Sequence, residues 1–345
     1  MRGMGNEYIV LAHGAGGRES EQLIKQIFNI VRLRKVNNGI GLDEFDDGAL
    51  IPLRTNFVVS MDSYTVDPIF FPGGDIGKLA AAGSINDVAV MGAEPFAALD
   101  SIVVEEGFPI RDLRKVINSM VKVFEFENVA LISGDFKVMP REKVDKIIIT
   151  TVVLGRLDNP SQIFLDSNVK PGDKIIVTGP VGDHGAVITA LRMGIEAEIG
   201  ELKSDCQPVT PIMRIAKHVG GVHAAKDPTR GGLAMALNEF AGKSNVAIFI
   251  DEDLIPIREE VRALSDMLGI DPLALACEGR VVLSVDPNYA DDLLSSLRKN
   301  GFSEATIVGE AKDDHEWNGF VILKTEAGGL RILEKPTGEL TPRIC

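Results

Sequence analysis

Cys345 is the last residue of the chain and follows EKPTGELTPRI, a stretch with two prolines and no core periodicity. A thiol in that place has no packing reason to exist, so it reads as an exposed, reactive group on an extended, mobile arm. Nothing follows it, which excludes a prenylation box. Fully extended, residues 334–345 span roughly 40 Å, enough to move the thiol between an interior site and an outside partner. Cys206 and Cys277 read instead as small buried hydrophobes.

A second set of chemical groups is acidic and spread over separate loops. Asp47 lies in DEFDDGA, Asp62 in MDSYTVDP, Asn86 and Asp87 in INDVAVMGAEP, and Asp135 in SGDFKVMP. Carboxylates are hard oxygen donors suited to magnesium, which arrives bridging substrate phosphates and takes only one or two protein carboxylates per ion. Taken singly, each loop reads more readily as a solvated acidic turn. Asn86 and Asp87 differ, because they interrupt the small apolar helix AAAGSINDVAVMG, where a buried charge needs a partner.

Lys137, two residues after Asp135, would set an ammonium on a phosphate, or is a surface lysine in a loop. Arg230 and two glycines in DPTRGGL stand at the mouth of a helix, a place where backbone N–H groups bind anions. Glu278 in CEGR precedes a strand and faces either a cleft or solvent. His184 in VGDHGA reads as a loop histidine, orienting a substrate or simply structural. The histidines show no zinc spacing, and no GxSxG elbow is present. Standard nucleotide loops are absent too. GGDIGKL has Leu79 where Ser or Thr is required, AGKS lacks its leading glycine, and HGAGGRE has Glu19 in place of the third glycine.

The elements that must position these groups follow from periodicity. FVVSM at 57–61 predicts a buried strand and 75–91 a helix, followed by a strand at 97–104 and an amphipathic helix at 111–124. NVALIS and KIIITTVVLG predict two more strands. A turn-rich stretch from 156 to 173 then marks a domain boundary before KIIVTG. The second half predicts helices at 186–193, 209–218 and 233–241, with strands VAIFI, RVVLSV and GFVIL. Mixed runs of both types predict an α+β or mixed α/β fold in each half.

At 345 residues the chain is long enough for two domains. Its net charge of −14 repels phosphate backbones and anionic lipid, so neither nucleic acid nor membrane is an expected partner. Three scattered cysteines and no apolar span or signal core predict a cytoplasmic protein.

HGAGG, DDGA, MDSYTVDPIFFPGGDIGKLA, INDVAVMGAEP, SGDFKV, GDHGA, KDPTRGGLA, CEGR and the terminal PRIC together resemble the hydrogenase maturation factors of the HypE family, within the PurM-like ATP-using superfamily. The resemblance spans nearly the whole chain. It implies an N-terminal segment with a Gly-rich loop (1–41), a PurM-like ATP-binding domain (42–157) forming a dimeric barrel, a PurM-like C-terminal α/β domain (168–333) and a flexible tail (334–345). It also implies a reaction. A carbamoyl group delivered by HypF to Cys345 is dehydrated with ATP to a thiocyanate, whose cyanide passes to an iron held by HypC and HypD.

In that scheme Asp47, Asp62 and Asp87 hold Mg2+. The nucleotide is held by the same residues with Asn86, Asp135, Gly134, Gly14 and Gly16. Lys137 meets phosphate or carbamoyl oxygen, and Glu278 moves protons. The rivals are an aminoimidazole ribonucleotide or selenophosphate synthetase and a nucleotide-switched assembly scaffold. A selenophosphate synthetase normally carries a reactive cysteine in the Gly-rich segment, and HGAGG has none.

Overall fold

The computed structural model describes residues 17–19, 21–22, 25, 39–40, 44, 46–47, 49–52, 56–338 and 344–345. In the first half, β1 (Ala49–Pro52), β2 (Asn56–Tyr64), β5 (Glu94–Glu105), β6 (Ala130–Met139) and β7 (Ile147–Leu157) form one sheet in the order β1-β2-β7-β5-β6. All neighbours run antiparallel except β5 and β6. A small hairpin, β3 (Phe70–Phe71) with β4 (Gly74–Asp75), leads into α1 (Ile76–Val90).

Alternation decides the faces of the sheet. Val58, Ser60 and Tyr64 of β2 are buried toward α1, while Met61 between them is exposed. Helix α1 has no polar stripe because it is covered on several sides, by the sheet, by α2 (Ile110–Phe126) and by α4 (Thr210–Val219). Only Lys78 and Asp87 of α1 escape full burial. Asp75 caps its start, accepting the N–H groups of Gly77 and Lys78 at 2.8 and 3.0 Å. Gly77 lets the α2 backbone at Val116 approach, and Gly83 leaves room for the Tyr64 ring that a Cβ would occupy.

Strand β6 corrects the sequence reading, which left SGDFKVMP as a loop. It is a continuous edge strand paired in parallel with β5, and all ten of its residues are exposed. The side chains of VALISGDFKVM favour extended backbone, and Gly134 fits where a Cβ would strike the Asp100 carboxyl.

The second half holds a seven-stranded sheet in the order β14-β13-β10-β12-β8-β11-β9. Its strands are β8 (Lys174–Val177), β9 (Val222–Lys226), β10 (Ala247–Asp251), β11 (Val282–Val285), β12 (Thr306–Lys312), β13 (Val321–Lys324) and β14 (Leu330–Ile332). Three helices pack with it, α4, α5 (Gly232–Ser244) and α7 (Pro287–Lys299), while α3 (Asp183–Met193) and α6 (Glu259–Leu268) pack against each other and join the core cluster of the first half. Leu233, Leu237 and Phe240 of α5 meet Ile248, Val282 and Val308 in one apolar core.

The chain end departs from expectation. Ile344 is 6% exposed and belongs to the core cluster that includes Tyr64, Phe71 and Ala186. Burial of its side chain gives the terminus a packing reason that composition did not suggest.

Candidate active site

A narrow cavity opens where the end of β2, the middle of α1, the DPTRGGL loop and the CEGR loop converge. Asp62, Tyr64, Gly83, Asp87, Asp227, Thr229, Arg230, Glu278 and Cys345 line it. Each wall has a local cause. Strand alternation aims Asp62 to the same side as Ser60 and Tyr64, and the turn of α1 brings Asp87 beneath them, where Ser60 Oγ donates to Asp87 Oδ2 at 2.6 Å. Tyr64 and Thr151 both bond Ser84, one turn earlier in α1, which fixes helix against sheet.

The cavity is rich in carboxyls and short of cations. Burial, with the neighbouring charges of Asp62, Asp227 and Asp47, holds the Asp87 carboxyl well above the usual carboxylate range. Burial and the charge of Asp47 push Asp227 up to about 8 against the pull of Lys226. Glu278 is raised well above its ordinary value by burial and by Asp227 and Asp205, with Arg230 opposing. Asp227 Oδ2 and Glu278 Oε1 are buried with no hydrogen-bond partner among the described residues.

Cys345 lies in this cavity, partly buried rather than exposed as the sequence suggested. Burial pushes its thiol up to about 12, Arg230 opposing and Glu278, Asp62 and Asp87 adding to the rise. Were the thiol ionised, its charge would raise the Arg230 guanidinium more than any other neighbour, ahead of Asp62 and Glu278. The backbone is held as well. Thr65 donates its N–H and Oγ1–H to the Cys345 terminal oxygen at 3.0 and 3.2 Å, and His184 Nε2 bonds the Ile344 carbonyl at 2.8 Å. His184 is therefore not a loop residue: it lies in the first turn of α3, fully buried.

Two groups that hold the walls were not picked out in the sequence. Asp205 accepts the N–H groups of Glu278 and Gly279 at 3.0 and 3.1 Å, clamping the CEGR loop. Gly279 closes against the Asp205 backbone, where a Cβ would not fit. Asn86 turns away from the cavity and spends its amide on the second half. Its Nδ2 donates to the carbonyls of Gln207 and Glu278 at 3.2 and 3.4 Å, and its Oδ1 accepts the Val209 N–H at 2.8 Å. Sequence reasoning gave Asn86 to the nucleotide; the structure shows it clasping the two halves together.

Asp47 stands in a separate charged cluster. It accepts from Lys226 Nζ at 2.7 Å, while Asp46 and Asp166 take Lys243 at 3.0 and 2.8 Å. Among the described residues no three His, Cys, Asp or Glu side chains converge on one metal position. An ion here needs further oxygens from what it binds with, such as phosphates.

Asp135, Gly134 and Lys137 are not brought to the cavity. The row Asp62–Thr151–Asp100–Gly134 runs across β2, β7, β5 and β6, so Gly134 is three strand spacings, roughly 14 Å, from Asp62. Asp135 and Lys137 point to the opposite face from that row and pair with each other at 3.2 Å, both well exposed. Gly14 and Gly16 lie outside the described residues.

Comparison with known proteins places these features. Residues 45–157 match the N-terminal domain of AIR synthase related proteins, and residues 170–322 match their C-terminal domain. Carbamoyl dehydratase HypE of Cupriavidus necator is 38% identical over 341 residues, covering 98% of this chain and 95% of that one. The crystal structure of hydrogenase maturation protein HypE in complex with ATP superposes with a TM-score of 0.80 at 37% identity, over 98% of this chain and 100% of that one. A HypE–HypF complex superposes with a TM-score of 0.83 at 34% identity, over 91% of this chain and 99% of that one.

Proposed function

The chain belongs to the HypE family of AIR synthase related proteins, and from that premise we propose how its own residues carry the reaction. The protein is an ATP-dependent carbamoyl dehydratase that serves hydrogenase maturation, and HypF is its partner. One observation carries the assignment of roles: the C-terminal thiol lies inside the carboxyl-lined cavity, next to Asp87, Asp227, Arg230 and Glu278.

The reacting carbon is borne on Sγ of Cys345 as an S-carboxamide. Its oxygen cannot leave as oxide. Transfer of the ATP γ-phosphoryl to that oxygen makes phosphate the leaving group, and loss of both amide protons with the phosphate gives S–C≡N, ADP and phosphate. Glu278 takes a proton from the amide nitrogen, since its unpartnered Oε1 is free to accept one and its raised pKa makes the ionised form a stronger base. Arg230 offsets charge that develops on oxygen. The docked free thiol is protonated at neutral pH, so carbamoyl loading by HypF belongs to an undocked tail.

The donor set fits magnesium: hard carboxylate oxygens, one of them orphaned on Asp227, with too few cations to neutralise them. One or two of Asp62, Asp87 and Asp227 would hold each ion, with phosphate oxygens completing its coordination and Asp47 joining on release from Lys226. Bound there, it supplies positive charge to the phosphates of ATP.

A second copy completes the site. Among the described residues the outer edge of β6 is unpaired, and it exposes Leu131, Ile132, Phe136, Val138 and Met139, a surface suited to pairing with another chain. Lys137 and Asp135 on that edge reach the phosphates of the other copy. HypC and HypD receive the cyanide. Residues 42–157 and 168–333 form separate domains, and the protein works in the cytoplasm, in keeping with its acidic charge and unpaired cysteines. Among the described residues no helix is long and apolar enough to cross a membrane.

Intact mass measurement after incubation with HypF, a carbamoyl donor and ATP tests the whole scheme. The expected result is a carbamoyl adduct on Cys345 that converts to a cyano adduct only when ATP is present. ADP release with no change in the adduct would overturn it.

A further inference from the structure

We propose that Tyr64 holds the nitrogen end of the carbamoyl group: its hydroxyl oxygen accepts one N–H of the S-carboxamide on Cys345 while Glu278 accepts the other, so the cavity selects a primary amide. This deepens the dehydratase reading above and rests on it.

Three buried contacts fix where the Tyr64 hydrogen points. Thr151 Oγ1 lies 3.0 Å from the Ala80 carbonyl, which only accepts, so Thr151 donates there. Its single hydrogen is then spent, and in its bond with Ser84 Oγ the serine donates. The Ser84 hydrogen is spent in turn, so Tyr64 Oη donates to Ser84 Oγ at 3.2 Å. Only this order makes hydrogen bonds of all three contacts. Ser84 and Thr151 are fully buried, so solvent offers neither of them another partner.

The phenol oxygen is thereby left as an acceptor at the cavity wall. Its ring end lies over Gly83, where a Cβ would come within 2.3 Å of Oη, and Tyr64, Gly83 and Cys345 line the same cavity. The next residue, Thr65, bonds the Cys345 backbone at 3.0 Å, which keeps the thiol beside Tyr64. Among the described residues Oη bonds only Ser84, so its lone pairs toward the cavity are unused. Glu278 Oε1 is a second acceptor without a partner. A primary amide nitrogen carries two N–H donors and matches this pair. An acyl group without N–H, such as S-acetyl, would leave both acceptors unsatisfied. The hydroxyl chain ends on a backbone carbonyl that passes no proton on, so Tyr64 holds the amide hydrogen and does not remove it.

The test uses the full chain, its Cys345 carbamoylated at mildly acidic pH by cyanate carrying an isotopically labelled nitrogen. The thiol adds across the carbon–nitrogen bond of isocyanic acid, sulfur to carbon and hydrogen to nitrogen, and peptide mass analysis confirms the site. A proton–nitrogen correlation spectrum then reads the two N–H resonances with neither ATP nor HypF present. Tyr64→Phe, which keeps the ring, should shift one resonance upfield, and Glu278→Gln should shift the other. Ser84→Ala lets the Tyr64 hydrogen turn into the cavity and should shift the same resonance as Tyr64→Phe, so the answer does not depend on one variant. With ATP, Tyr64→Phe should slow cyano-adduct formation about tenfold, with ATP binding and the shape of the pH profile unchanged. Resonances indifferent to both Tyr64→Phe and Ser84→Ala, in chains that still bind ATP, would overturn the proposal. Failure of the native loaded chain to form the cyano adduct sinks the dehydratase reading instead, and the spectrum still decides the contact.

Discussion

Asp183 sits in the first turn of α3 with Oδ2 on Arg258 at 3.1 Å and near Arg280, while Oδ1 is buried without a hydrogen-bond partner among the described residues. Burial and the charge of Asp205 push it up to about 6 despite those two arginines. A carboxyl whose native pKa exceeds its unfolded value stabilises the fold most when protonated. Its contribution is complete below about pH 4 and is lost as the pH climbs to about 6, a change of roughly 3 kcal/mol. Against Asp183→Asn, the native protein should therefore lose stability over that window and run parallel above it. Thermal midpoints taken across the range check this, and curves parallel throughout would refute it. For catalysis, Glu278→Gln should lower turnover between about a hundredfold and ten-thousandfold while ATP still binds. ADP release and nucleotide binding measured on the same sample separate the two effects. Asp87 was legible in the sequence because a charge inside a small apolar helix demands a reason. Asp205 and Thr65 were not, since they act on backbone N–H groups and chain ends that residue types do not reveal.

At the scale of elements, α1 and β2 were readable, FVVSM as a short apolar run typical of a strand and the small-residue helix from its composition, with Asp75 capping its start. NVALIS predicted the start of β6, but its continuation through SGDFKVM was missed because SGD resembles a turn and because an edge strand has no buried face to create a pattern. Its exposure gives a test of Lys137 acting across two copies. Lys137→Ala and Cys345→Ala should each be inactive alone, yet a mixture should regain cyano-adduct formation, since one mixed pairing holds an intact set. No recovery on mixing, with both chains dimeric by light scattering, would return Lys137 to its own chain. Asn86 gives a second test. Asn86→Ala leaves the Gln207 and Glu278 carbonyls and the Val209 N–H without their partner and should cost about 3 kcal/mol in a denaturant titration.

For the molecule as a whole, the division of the chain into two sheets was legible from the turn-rich stretch between them, whereas the return of the last two residues into the first half was not. Nothing in EKPTGELTPRIC marks where its tip docks; Ile344 finds a pocket made by residues far away in sequence. Because the reacting thiol belongs to the same polypeptide as the cavity, the dehydration step is unimolecular in protein. Its rate constant should not change on dilution so long as the proposed pairing of copies is kept, and no external thiocarbamate should compete at concentrations below the tail's own effective molarity, of millimolar order. A time course of cyano-adduct formation in preloaded protein, repeated after dilution, should superimpose. The enzyme then has no Michaelis constant for its carbon substrate, and each molecule processes only the cargo it was given.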